Sequence, residues 1–166
     1  MTSALPDEAL EAAARLLDLC RSQGLMLATA ESCTGGLIAA CLTEIAGSSD
    51  VVERGFVTYS NAAKMELLGV AAGTLERHGA VSAETAAEMA AGALARSPAD
   101  LAVAVTGIAG PGGATETKPL GLVHLAAQRR GAPPLLEHHV FPGDRRAVRV
   151  ATLYRALAML ESEATR

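Results

Sequence analysis

The chain has 166 residues, 50% of them hydrophobic and 19% charged, which is enough for one buried core and too apolar for a disordered chain. A net charge of −4 lacks the basic footprint of a general nucleic-acid binder, yet one arginine or one helix end suffices to hold a small anion. Three cysteines without a CxxC pair, no basic-then-apolar leader and no run of 18 apolar residues predict a cytoplasmic protein without a membrane span.

Alanine accounts for 35 residues and aromatics for only 2%, so the core must be aliphatic with closely approaching backbones. After Pro6, the apolar stripe Ala9, Leu10, Ala13, Ala14 and Leu17 predicts a helix that Gly24 ends. Leu25 to Ala30 reads as a short buried strand. Ser32-Cys33-Thr34-Gly35-Gly36 breaks it and opens a helix over 37–46. Val51 to Tyr59 has strand character, and Ser60 and Asn61 cap a helix through Leu67 that stops at Gly69. Leu75 to His78 predicts one short helical turn. Ser82 caps a helix over 83–95, with Glu84 in its favourable first turn.

Leu101 to Thr106 is the clearest buried strand, followed by a glycine-rich loop from Gly107 to Pro119. Strands over 121–127 and 135–141 follow in succession, joined across Arg129 to Pro134, and Asp144 starts a last helix to about Glu161. Helices alternate with strands and then two strands are consecutive. This order predicts a single α/β domain over 1–166, a three-layer α/β/α sandwich with a mostly parallel, partly antiparallel (mixed) sheet. Ligands bind such sheets beyond the carboxyl ends of the strands. Three loops leave strands there, after Ala30, Tyr59 and Thr106.

The first loop delivers Ser32 from a strand to a turn with a helix directly behind it. Gly35 and Gly36 let a ligand approach the backbone, and first-turn N–H groups suit an anion or a developing oxyanion. The layout resembles a nucleophile elbow, although GxSxG is absent and the motif itself cannot be claimed, and a plain serine cap remains open. Cys33 is a rival nucleophile or a small core residue. Glu31 orients a partner, receives a substrate hydroxyl, or is a surface acid.

In the second loop Lys64 falls in the first turn of a helix, the unfavourable end for a cation. That field, with burial, favours a neutral amine able to act as a general base, and Tyr59 stands where it can position a proton. A solvated lysine paired with an acid is the other reading. Only Lys118 shares its residue type. In the third loop Gly107, Gly110, Gly112 and Gly113 offer backbone that side chains do not obstruct, suited to a phosphate or a ribose; a tight strand-end loop remains open. Thr106 ends its strand facing the crevice. His138 and His139 are adjacent and point to opposite faces, and His78 and His124 have no ligand spacing, so no metal is expected. Arg145 and Arg149 share a helix face where they can meet a phosphate or a neighbouring subunit.

Taken together, Ala30-Glu31-Ser32-Cys33-Thr34-Gly35-Gly36, Tyr59-Ser60-Asn61 with Lys64, Leu67-Leu68-Gly69-Val70, Val105-Thr106-Gly107-Ile108-Ala109-Gly110-Pro111-Gly112-Gly113 and Phe141 to Arg149 closely resemble the CinA carboxy-terminal domain family. The resemblance implies a stand-alone amidase domain, without the molybdopterin-binding-like domain of larger relatives. It implies hydrolysis of nicotinamide mononucleotide to nicotinic acid mononucleotide and ammonia, in pyridine nucleotide recycling, by a homo-oligomer needing no cofactor.

Carried onto this chain, the resemblance makes Ser32 the nucleophile and Lys64 its general base, with Tyr59 and Thr106 in support. Substrate contacts then fall to Glu31, Cys33, Thr34, Gly35, Gly36, Asn61, the loop glycines, Arg145 and Arg149. The alternatives are an inactive nucleotide-binding or regulatory domain, a subunit-interface module, and an amidase for a related carboxamide.

Overall fold

The computed structural model describes residues 4–166. Five strands form one sheet: β1 (Leu27–Glu31), β2 (Val52–Val57), β3 (Leu101–Gly107), β4 (Leu122–Arg129) and β5 (Leu135–Val140). Their spatial order is β2-β1-β3-β4-β5. β1 is parallel to both its neighbours, and β4 is antiparallel to both of its own. Only β4 therefore runs against the rest, which is the mixed sheet that the element order predicts.

Among the described residues six helices surround the sheet, with α3 and α4 packed on α5: α1 (Asp7–Gln23), α2 (Leu37–Thr43), α3 (Asn61–Leu68), α4 (Ala72–His78), α5 (Ala83–Ala95) and α6 (Arg145–Ala164). Alternation along β3 sorts the layers. Leu101, Val103 and Val105 enter the core beneath α1, α2 and α6, while Ala102 and Ala104 face α5. On that second face β1 gives Ala28 and Ala30, β4 gives Ala126, and α5 answers with Ala86, Ala90 and Ala93 around Met89. Alanine against alanine brings α5 close to the strands, which accounts for the composition.

Several boundaries shift. Leu16 and Cys20 fill the buried face of α1 while Leu10 and Ala14 are only half-buried, because the helix rolls toward α6. The helix after the serine turn stops at Thr43, and a 3-10 turn at Ser48–Asp50 follows. β2 ends at Val57, leaving 58–60 outside the strand; α4 begins three residues before Leu75. No helix among the described residues is long and apolar enough to cross a membrane.

Candidate active site

Ser32 sits one residue beyond β1, still held in the sheet by its N–H to Val105 O at 3.0 Å. The chain then turns sharply. Gly35 N donates to Ser32 O at 2.9 Å, and Gly35 and Gly36 take φ of 58° and 102°, values that a side chain would strain. Gly36 occupies the N-cap of α2 and has no side chain to cap it. Glu31 does so instead. Its carboxylate, fully buried, accepts from Ile38 N at 2.9 Å, Ala39 N at 3.0 Å and Thr34 Oγ1 at 2.7 Å. The first-turn amides expected to meet an anion are thus taken. In the turn itself, the Cys33 and Thr34 amides pair with no main-chain carbonyl among the described residues.

Lys64 lies in the first turn of α3, behind the Ser60 cap, whose Oγ accepts from Ala63 N at 3.0 Å. Helical side chains lean toward the N-terminus, so Lys64 points back under the end of β2. It is 1% exposed, the largest fully buried side chain of the described chain. Its Nζ donates to Thr58 O at 2.8 Å and stands 3.0 Å from Ser32 Oγ.

Burial pushes the Lys64 pKa down, opposed only by the charge of a Cys33 thiolate. Burial also pushes the Cys33 thiol up, to about 11, with Glu31 adding to it against its own backbone amide, Arg149 and Lys64. Near neutral pH Cys33 is therefore a thiol, and burial makes the Lys64 proton easier to lose than that of a free lysine. The same protonated state disfavours Cys33 as a nucleophile.

Around this pair is a cavity of about 200 Å³, lined by Ser32, Cys33, Lys64, Thr106, Tyr59, Asn61, Gly107 and Arg145, and also by Ala80, Val81 and Ala109. Thr106 is buried at the end of β3, and its Oγ1 donates to Ala80 O at 2.7 Å. Tyr59 stands 64% exposed at the mouth. Its hydroxyl accepts from Arg145 Nη2 at 2.9 Å, and Arg145 Nη1 donates to Gly110 O at 2.8 Å. The arginine so ties the second loop to the third across the opening, and the tyrosine hydroxyl meets neither Lys64 nor Ser32.

Half of the predicted site residues do not line the cavity. Glu31, Thr34, Gly35 and Gly36 shape the serine turn from behind. Arg149 joins them, its Nη2 donating to Thr34 O at 2.7 Å. Gly110, with a cis bond to Pro111, serves through its carbonyl, while Gly112 and Gly113 lie outside. Gly107 does line it, but its missing Cβ answers a different need: that atom would stand 2.7 Å from Val123 Cγ2 and 2.8 Å from Leu122 O. Ala80, Val81 and Ala109 carry no chemical signal in the sequence, and only the corner between α4 and α5 brings the first two here. Among the described residues no three His, Cys, Asp or Glu side chains group as metal ligands.

The CinA C-terminal domain family matches residues 9–164. A CinA-like protein of Mycolicibacterium vanbaalenii is 54% identical over 142 residues, 86% of this chain but 34% of that one, so the chain spans about a third of the length of such curated relatives. A protein of Enterobacter agglomerans named nicotinamide-nucleotide amidohydrolase PncC is 52% identical over 130 residues, covering 78% of this chain and 79% of that one. The crystal structure of the competence/damage inducible protein CihA from Agrobacterium tumefaciens superposes with a TM-score of 0.96 at 52% identity, covering 99% of this chain and all of that one. With its serine turn, buried lysine and glycine-rich loop on this fold, the chain belongs to the CinA C-terminal domain family.

Proposed function

We propose that the protein hydrolyses the carboxamide of nicotinamide mononucleotide, giving nicotinic acid mononucleotide and ammonia. The observation that carries this is the buried Lys64 amine 3.0 Å from the Ser32 hydroxyl at the floor of a cavity. The name of the Enterobacter relative supports the substrate.

Thr58 O takes one amine hydrogen, which leaves the Lys64 lone pair for the Ser32 proton. As that proton moves, Ser32 Oγ bonds to the carboxamide carbon. The carbonyl oxygen becomes an oxyanion facing the Cys33 amide, which lines the cavity and is free of a main-chain partner. On collapse the C–N bond breaks, the Lys64 ammonium gives its proton to the nitrogen, and ammonia leaves a nicotinoyl ester on Ser32. Lys64 then takes a proton from water, whose oxygen attacks the ester. The acid departs as Ser32 regains its proton from Lys64.

At about 200 Å³ the cavity is smaller than a typical ligand pocket of roughly 300–1,000 Å³ and houses the reacting head. The rest of the nucleotide crosses the mouth, past Tyr59, Asn61 and Arg145. Assembly as a homo-oligomer in the cytoplasm belongs to the same reading, and sedimentation measures the first.

The test is ammonia release from nicotinamide mononucleotide beside free nicotinamide. We expect the nucleotide to be the better substrate and Ser32→Ala to lower turnover by about 10³-fold or more at unchanged melting temperature. Wild-type turnover by Ser32→Ala sinks the nucleophile assignment. Tight nucleotide binding without product indicates a binding domain instead.

A further inference from the structure

Thr106 has one hydroxyl hydrogen, and its position is settled by its partner. Ala80 O, 2.7 Å from Thr106 Oγ1, is a carbonyl and can only accept. The hydrogen therefore points at Ala80, and what Thr106 has left is lone pairs. A carbonyl takes no proton in transit, so this hydroxyl is no relay.

The arrangement is held from both sides. Thr106 is β-branched, 1% exposed, and sits in a strand paired on each side. The corner that carries Ala80 is pinned by Lys118 Nζ on His78 O at 2.6 Å and by Thr85 Oγ1 on Gly79 O at 2.7 Å. These two bonds hold the carbonyls immediately before Ala80 O, which accepts from Thr106 at the end of the pinned corner.

The cavity thus contains a fixed group that accepts and does not donate, beside a floor formed by Ser32 and Lys64. No carboxylate lines it, and Arg145 brings only donors. A carboxamide and its acid product differ at one atom: the NH2 donates two hydrogens, whereas the carboxylate oxygen offers none. Resting on the amidase reading above, we propose that Thr106 Oγ1 is the specificity-determining acceptor for the carboxamide nitrogen, selecting amide over acid.

This fixes which way round the planar group binds. Nitrogen faces Thr106, and the carbonyl oxygen faces the Cys33 amide of the serine turn. The contact strengthens as the nitrogen takes its proton before leaving. After hydrolysis a carboxylate oxygen meets Thr106 lone pairs, which favours release of the acid. Sites built around a buried polar partner reject analogues that lack the matching group, since the partner is left unpaired.

The test uses Ser32→Ala protein, which holds ligands without turnover, with dissociation constants measured by calorimetry. Nicotinamide mononucleotide should bind at least about tenfold more tightly than nicotinic acid mononucleotide, and also than the 3-acetylpyridine mononucleotide, which keeps the carbonyl and replaces NH2 by methyl. In Ser32→Ala/Thr106→Val the amide should weaken about tenfold or more while the acid does not, and Thr106→Ser in its place should restore the preference. A purely structural tie to Ala80 would weaken both ligands alike and leave the ratio unchanged, which overturns the proposal. Equal binding of the acetyl and carboxamide nucleotides overturns it without any change at Thr106. Binding of no nucleotide at all, with no ammonia released by the wild type, removes the amidase reading and this inference together.

Discussion

Lys64 is a base buried at the end of the sheet, with no carboxylate among the groups that shift its pKa. Its folded pKa lies below the unfolded value near 10.5, so between the two the unfolded chain binds more protons. Stability from this group therefore rises with pH through that window, and the full penalty persists below the folded pKa. Lys64→Met, similar in length and uncharged, should raise the melting temperature near neutral pH while lowering turnover about 10³-fold. Wild-type turnover should climb with pH along a limb whose midpoint lies below 10.5. Unchanged stability in Lys64→Met would count against a strained lysine.

Glu31 presents the opposite case, a carboxylate fully engaged by three donors. Glu31→Gln turns one acceptor into a donor facing an N–H, and should cost about 2 kcal/mol in chemical denaturation, with turnover falling as the serine turn loosens. Lys64 was legible in the sequence because lysine is rare and helix starts disfavour it. The capping role of Glu31 was not: two of its three partners lie seven and eight residues on, and only the folded turn brings them back. Ala80 and Val81 have no chemistry to read at all.

At the level of elements, the contact between α3 and α5 fixes the lysine. A Cβ on Gly92 would stand 1.9 Å from Leu68 O, which is backbone and has little room to move. Alanine would improve helix propensity by about 1 kcal/mol, yet overpacking costs about 1–3 kcal/mol, and a backbone clash belongs at the upper end. Gly92→Ala should destabilise the fold and, by pushing α3 outward with Lys64 on it, lower turnover further than the stability loss alone. Normal turnover in a destabilised variant would show that α3 absorbs the shift elsewhere. The order and type of the elements were written in periodicity and caps: Ser60, Ser82 and Asp144 each accept from the amide three residues on. Their ends were not, because pairing with β1 and packing on α6 decide where β2 and the face of α1 stop.

Across the whole molecule, the site is assembled from both helical layers at one end of the sheet. Lys64 comes from α3 on one face, and Arg145 reaches over from α6 on the other. Removing this bridge should open the mouth without touching the serine and lysine. Arg145→Ala should raise KM for the mononucleotide about tenfold with a smaller change in kcat, measured by ammonia release. A fall in kcat alone would place the arginine nearer the chemistry. The alternation of helices and strands foretold the three layers and the strand-end loops, whereas the crossing of α6 is a matter of packing that no local pattern records.

The buried Glu31 also sets the electrical character of the serine turn. Helix starts commonly gather sulfate or phosphate from solution. Here the Glu31 carboxyl already occupies that place, taking the Ile38 and Ala39 amides that would otherwise meet such an ion. Such a pocket discourages free inorganic anions from lodging against the serine, and keeps the small positive potential of its lone amides for a charge that exists only while a bond is being made.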